Sequence, residues 1–147
     1  MGQAQDVLAE MLRDDVAPAL RELGLKGSGK RYRLPSREYL AEIGIQSSLS
    51  SSSEWLKFTV NVSVIHRAGY KELRESRTHL PERPSPNTMY STSCQWQQRL
   101  GKLVDGQDRW WVLDAEGESR QEVAADLVAA VRDAGLPALR ARIEGAA

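Results

Sequence analysis

The chain has a single cysteine, Cys94, so no disulfide can form within it. Two histidines, His66 and His79, are the only imidazoles beside that thiol. Metal binding asks for three or four ligands at convergent positions, and these residues show no paired spacing, so neither a metal nor a cofactor is expected. Net charge is missing as well: 20 Lys and Arg balance 20 Asp and Glu. That balance leaves no overall field to draw in nucleic acid or an anionic membrane, and neither is expected as a partner. No apolar run approaches the roughly 20 residues of a membrane helix. The N-terminal segment lacks a basic start followed by an apolar run and a small-residue cleavage site, which reads as a cytoplasmic location.

What the chain does have is pattern. Its 147 residues fit one domain, residues 1–147, and folding at that size removes roughly 70% of the unfolded chain's surface from water. The most regular run is Trp55–Ile65, where Phe58, Val60, Val62 and Val64 share one parity and Lys57, Thr59, Asn61 and Ser63 the other. Period-2 alternation of this kind makes a strand with one buried face. Tyr39–Ser47 alternates in the same way, and the serine-rich stretch Ser47–Ser53 joins the two as a hairpin loop. Tyr90–Leu100 fits two patterns, a helix through Trp96, Leu100, Leu103 and Val104 or a strand. The β-propensity of Tyr90, Thr92, Cys94 and Trp96 favours the strand. Trp110–Leu113 is a further short extended segment.

Helical spacing appears at both ends. Val7, Leu8, Met11, Leu12, Leu20 and Leu23 form an apolar stripe from Ala4 to Leu23. Pro18 lies inside it and predicts a kink, or a split at Asp14-Asp15. Ser119-Arg-Gln-Glu122 reads as a capping box that opens a C-terminal helix; Gly135 ends that helix, and Pro137 opens a last short one through Ile143. The recurrence of Pro-Ala-Leu-Arg at Pro18 and Pro137 reads as an accident of composition. Together these elements predict an α+β fold: an antiparallel sheet of three to five strands, with an N-terminal helix and C-terminal helices packed on one face.

The functional signals are fewer. Gly24-Leu-Lys-Gly-Ser-Gly-Lys30 has the glycine and lysine spacing of a phosphate-cradling loop, but Arg31 replaces the required hydroxyl, and the loop follows a helix instead of a strand. It reads as a turn. Between His66 and Asn87 the periodicity dissolves into a basic, proline-rich arm. Cys94, on the apolar parity with Tyr90 and Trp96, reads as a buried structural thiol. If the apolar parities face the helices, the opposite sheet face collects amides, hydroxyls and arginines. On it Gln46, Asn61, Gln97 and Arg99 are candidate binding residues, with Trp55 and one of the adjacent Trp110 and Trp111 as apolar anchors. No catalytic residue is assigned, and the expectation leans away from an enzyme. The predicted function is a binding protein whose open polar sheet face and basic arm engage a protein partner, as an immunity factor does. The alternative is a small molecule held between the sheet and the 66–89 loop, anchored by Gln46, Asn61 and Arg99. Nothing in the sequence fixes the oligomeric state.

One combination of residues is similar to a known family. The kinked first helix ending in Leu23-Gly24-Leu25, a strand ending in Gln46-Ser47, the strand Phe58-Thr-Val-Asn-Val, then Arg99-Leu100-Gly101 and Trp110-Trp111 before a C-terminal helix resemble the DUF4304 family, a domain of unknown function. The resemblance runs from about Val7 to Leu139. It implies a small bacterial α+β protein and brings no activity, substrate or cofactor. Members of the family often carry a Cys-His pair ahead of the Arg-x-Gly-like segment; here Gln95 follows Cys94, which argues against thiol or metal chemistry at that position.

Overall fold

The two alternating runs become the centre of a six-stranded antiparallel sheet in the computed structural model, which describes residues 3–145. β1 (Lys26–Ser28), β2 (Arg31–Leu34), β3 (Tyr39–Ser47), β4 (Trp55–His66) and β5 (Gln95–Arg99) are neighbours in that order, and β6 (Trp111–Asp114) also pairs with β4. The 12-residue β4 is the spine. One of its edges pairs along its length with β3; the other is shared end to end by β5, from Asn61 to Ile65, and β6, from Trp55 to Phe58. The sheet has one strand more than expected because the glycine-rich loop is itself a hairpin: Gly27 and Gly29 adopt positive φ, and Lys26–Ser28 pairs back on Arg31–Arg33. Lys30 donates to the Ser47 hydroxyl at 3.3 Å.

Parity sets the layers as the alternation requires. Ala41, Ile43 and Ile45 of β3 and Leu56, Phe58, Val60, Val62 and Val64 of β4 are buried beneath the helices. Phe58 stacks on Trp111, with centroids 5.6 Å apart. Each such side chain contributes about 1.5–3 kcal/mol by leaving water. Tyr32 is also fully buried on this side, and its hydroxyl has no hydrogen-bond partner among the described residues. Burial pushes its pKa up to about 12, against a smaller opposing effect of Arg21.

Two long kinked helices cover the core. The first runs through α1 (Gln3–Met11), a π-helical turn over Leu12–Val16 and α2 (Ala17–Glu22). The second, which follows the short α4 (Leu100–Asp105) and β6, runs through α5 (Arg120–Ala130), a π turn over Val131–Gly135 and α6 (Leu136–Ile143). Each π turn stands just ahead of a proline, Pro18 or Pro137. The recurring Pro-Ala-Leu-Arg is therefore a structural repeat, contrary to the reading from composition. In both copies an Arg-Asp pair within the turn closes on itself at 2.8 Å, Arg13 with Asp14 and Arg132 with Asp133. Gly135 does not end a helix. Its φ of −67° is helical, and its missing side chain lets the helix approach the sheet, since a Cβ there would lie 3.1 Å from Leu100 Cδ1 and 3.8 Å from Ile43 Cδ1 and Val62 Cγ2.

Two further expectations change. The Ser119 hydroxyl caps nothing: it donates to Asp114 at 3.2 Å, and the Asp114 carboxylate instead accepts the N–H groups of Glu118 and Ser119. Those bonds, that of Glu118 foremost, hold the Asp114 pKa below its ordinary value. The strand expected over Tyr90–Leu100 begins only at Gln95, because Ser91 and Ser93 close a local turn with the Ser93 N–H on Ser91 Oγ at 3.1 Å. Cys94 consequently precedes the strand and is half-buried beside Gly69, outside the apolar core.

Candidate functional site

Facing away from the long helices, β4 presents Trp55, Lys57, Thr59, Asn61 and Ser63, and β3 presents Glu42, Gly44 and Gln46. After β4 the chain forms α3 (Arg67–Ser76) and then an irregular arm, residues 77–94, that crosses this face before entering β5. Pro84 and Pro86 of the arm are buried. Gly44 makes room for it: a Cβ at that position would meet Asn87 Oδ1 and come within 2.6 Å of Pro86 Cγ.

Hydrogen bonds fasten the arm. The Asn61 amide donates to Gln46 Oε1 at 2.7 Å and to Asn87 Oδ1 at 2.9 Å, and Asn87 Nδ2 donates to the Ile45 carbonyl at 3.3 Å. Gln97 Nε2 donates to the Pro86 carbonyl at 2.8 Å. Gln95 Nε2 donates to the Thr88 carbonyl at 2.8 Å and to Ser63 Oγ at 3.2 Å, while Gln95 Oε1 accepts from the Tyr90 N–H at 2.7 Å. Glu42 is buried with a two-pronged ion pair to Arg31, at 2.7 and 2.9 Å, and Arg31 also donates to the Pro84 carbonyl at 2.8 Å. Buried polar groups are costly unless paired, and here they pair with the arm and with one another.

The sheet therefore faces as its parity predicts, but half of the polar face is interior. Asn61 is 3% exposed and fastens the arm together with the half-buried Gln97, while the half-buried Gln46 bonds to Asn61. The anchor set proposed for a bound small molecule comes apart in the same way: Gln46 and Asn61 bond to each other, and Arg99 pairs with Asp108 at 3.3 Å.

The other half stays open. Trp55, 41% exposed, and Lys57 share this face with Val112 of β6, which stands opposite Lys57 and is 50% exposed. Trp110 lies between two cations, with Lys57 Nζ 5.4 Å and the Arg99 guanidinium 5.3 Å from its ring centroid. Asp108 accepts from the Trp110 indole N–H at 3.3 Å as well as from Arg99. At the boundary between the halves, Thr59 Oγ1 donates to the Arg109 carbonyl at 2.7 Å. Of the adjacent tryptophans, Trp111 is the core residue, its indole N–H donating to Asp126 at 2.7 Å, and Trp110 is the outer one. Arg99 and Trp110 thus meet, Trp55 lies farther along the same face, and Trp111 is turned away from them. Parity had put Lys57 on this face without naming it a binding residue, and sequence reasoning missed Asp108 and Val112; the parity of Val112, between two core residues, was a signal for its exposure.

Among the described residues no group of three or more His, Cys, Asp or Glu comes together to hold a metal ion, and no helix is long and apolar enough to cross a membrane. No curated protein and no solved structure matches the chain. The sequence model of the family described as Domain of unknown function (DUF4304) matches residues 16–141, most of the chain, and the protein belongs to that family.

Proposed function

We propose that this is a partner-binding protein of the bacterial cytoplasm, and that the open half of its outer sheet face is where a second protein docks. The observation behind this reading is the exposure of Trp55 and Val112 on the same sheet face as Trp110, which two cations flank. Tryptophan and arginine are the side chains that most often anchor protein interfaces, and a wide, shallow patch suits a protein surface better than a small ligand. Lys57, which has no ion pair among the described residues, favours a partner whose matching surface is acidic. The network beneath the arm has a supporting role: it fixes β4 and β5, and with them the backbones that carry Lys57 and Arg99.

Affinity capture from the native cell with mass spectrometry, run in parallel on wild type, Trp110→Ala, Arg99→Ala and Arg83→Ala, tests the reading. A protein retained by wild type and Arg83→Ala but lost from the other two supports it. Equal retention by all four would place the docking surface elsewhere.

A further inference from the structure

At the β1–β2 side of the molecule, the arm and the sheet edge enclose a cleft of about 510 Å³, lined by the hairpin, Glu42, Arg67 and residues 82–84. That volume is within the roughly 300–1,000 Å³ range of small-molecule sites. Its charge follows from the register. Lys26 stands directly opposite Arg33 across the hairpin, and like charges facing each other on a ladder repel. On its other side Arg33 stands opposite Glu42, the natural partner for it, yet that carboxylate is held by Arg31. Arg33 and Lys26 are left cationic and exposed, with no ion pair among the described residues.

Two further cations converge from other elements. Arg67, the first residue of α3, reaches the Ser36 carbonyl at 3.3 Å, and Arg83 comes from the arm; neither has an ion pair among the described residues. Against these the lining offers Glu82 and the already paired Glu42. The walls are pre-set, because Arg31 joins β2, β3 and the arm through Glu42 and the Pro84 carbonyl. A neighbouring hollow shares Arg67, Glu82 and Pro84 and adds Lys71 and Arg74, so the positive lining continues onto α3. In a chain of zero net charge, this is a local concentration of cations that Glu42 and Glu82 offset only in part.

We infer that this cleft binds a small polyanion carrying phosphate groups, one molecule per chain. Arginine's planar fork matches phosphate oxygens two at a time, and a bound anion would relieve the repulsion between Lys26 and Arg33. The site is separate from the tryptophan patch and does not depend on that surface being an interface. Titration calorimetry of the full chain with inorganic tripolyphosphate at low salt is the test. The expected result is saturable binding near one per chain, weakened at least tenfold in Lys26→Glu and in Arg83→Ala and unchanged in Trp110→Ala. Lys26→Glu should also raise the melting temperature in the absence of ligand, because it converts a repelling pair into an attracting one; this shows that the loss of binding is not a loss of fold. Absence of binding, or binding unaffected by both cleft variants, overturns the inference. Tighter binding of hexaglutamate than of tripolyphosphate would overturn the assignment to a small phosphate ligand in favour of an acidic protein segment.

Discussion

Along β4 one alternation places Asn61 and Ser63 toward one end and Trp55 and Lys57 toward the other, all on the same face, and the two ends have opposite surroundings. The first pair is buried under the arm in a network of amides and carbonyls. The second borders an exposed patch of indole rings and cations. Uncharged polar residues lie on the covered half, while the open half exposes Trp55 and Val112 beside its charged groups, the reverse of what exposure alone favours for those two. The difference teaches that facing and covering are separate properties: alternation decides which way a strand residue points, while a segment with no period of its own decides whether that direction leads to solvent.

Substitutions can break the comparison at either end. The largest effect is expected from Asn61→Leu, which leaves the half-buried Gln46 and Asn87 oxygens without their donor, loosens the arm and should cost about 3 kcal/mol in urea denaturation. A loss below about 1 kcal/mol would mean that this network does not hold the arm. Gly44→Ala forces Asn87 and Pro86 away from the sheet, at about 2 kcal/mol, with faster amide exchange concentrated in residues 84–90. Protection there equal to wild type would show that the arm docks without needing the gap.

Tyr32→Phe sharpens the contrast from the helix side, where the buried hydroxyl is unpartnered. Removing it should raise stability by about 1 kcal/mol at neutral pH. Its folded pKa, pushed up to about 12, lies above the unfolded value of 10.0. The native state therefore holds this proton longer than the unfolded chain does, and wild type loses stability as pH rises through that window, with a slope approaching about 1.4 kcal/mol per pH unit from this residue. Tyr32→Phe lacks that loss, so its advantage should widen above pH 10; a constant difference would show that the hydroxyl ionises as readily in the folded protein as in the unfolded chain. The smallest change is expected at Trp110→Ala, within about 0.5 kcal/mol of wild type, as for a surface residue. A larger loss would make that indole part of the fold and weaken the case for an interface.

Much of the architecture was legible because repeated spacing carries it. β3 and β4 match their alternating runs, the Pro18 break falls at Asp14-Asp15, and opposite facing of Trp110 and Trp111 follows from adjacency on an extended chain. What could not be read depends on single contacts. The arm is placed by Asn87 meeting Asn61 and the Ile45 carbonyl and by Gln95 meeting Ser63, all far apart in the chain, and no local pattern marks such meetings. The Ser119 cap failed because Asp114, at the end of another strand, takes both the Ser119 hydroxyl and the Ser119 N–H that the capping box would use. Gly135 looked like a stop signal, but its value lies in closeness to Leu100, a tertiary fact. The candidate site was legible in part for the same reason: parity put its residues on the right face, and the arm then covered some of them.

The paired π turns have a consequence for phase. Leu8, Leu12, Val16 and Leu20 are buried at every fourth residue, and so are Leu127, Val131, Gly135 and Leu139 in the second helix. On an unbroken α-helix a four-residue step overshoots a full turn by about 40°, so three such steps would carry the stripe about 120° around the axis and off the sheet. The wider turn before each proline takes up one residue more and returns most of that rotation. A strict spacing of four ahead of a proline is thus a legible mark of a π turn, and deleting one residue between Arg13 and Asp15 should let the turn close to ordinary α-helix with Leu20 still within about 20° of Leu8, whereas closing it without a deletion would carry Leu20 about 120° off the sheet.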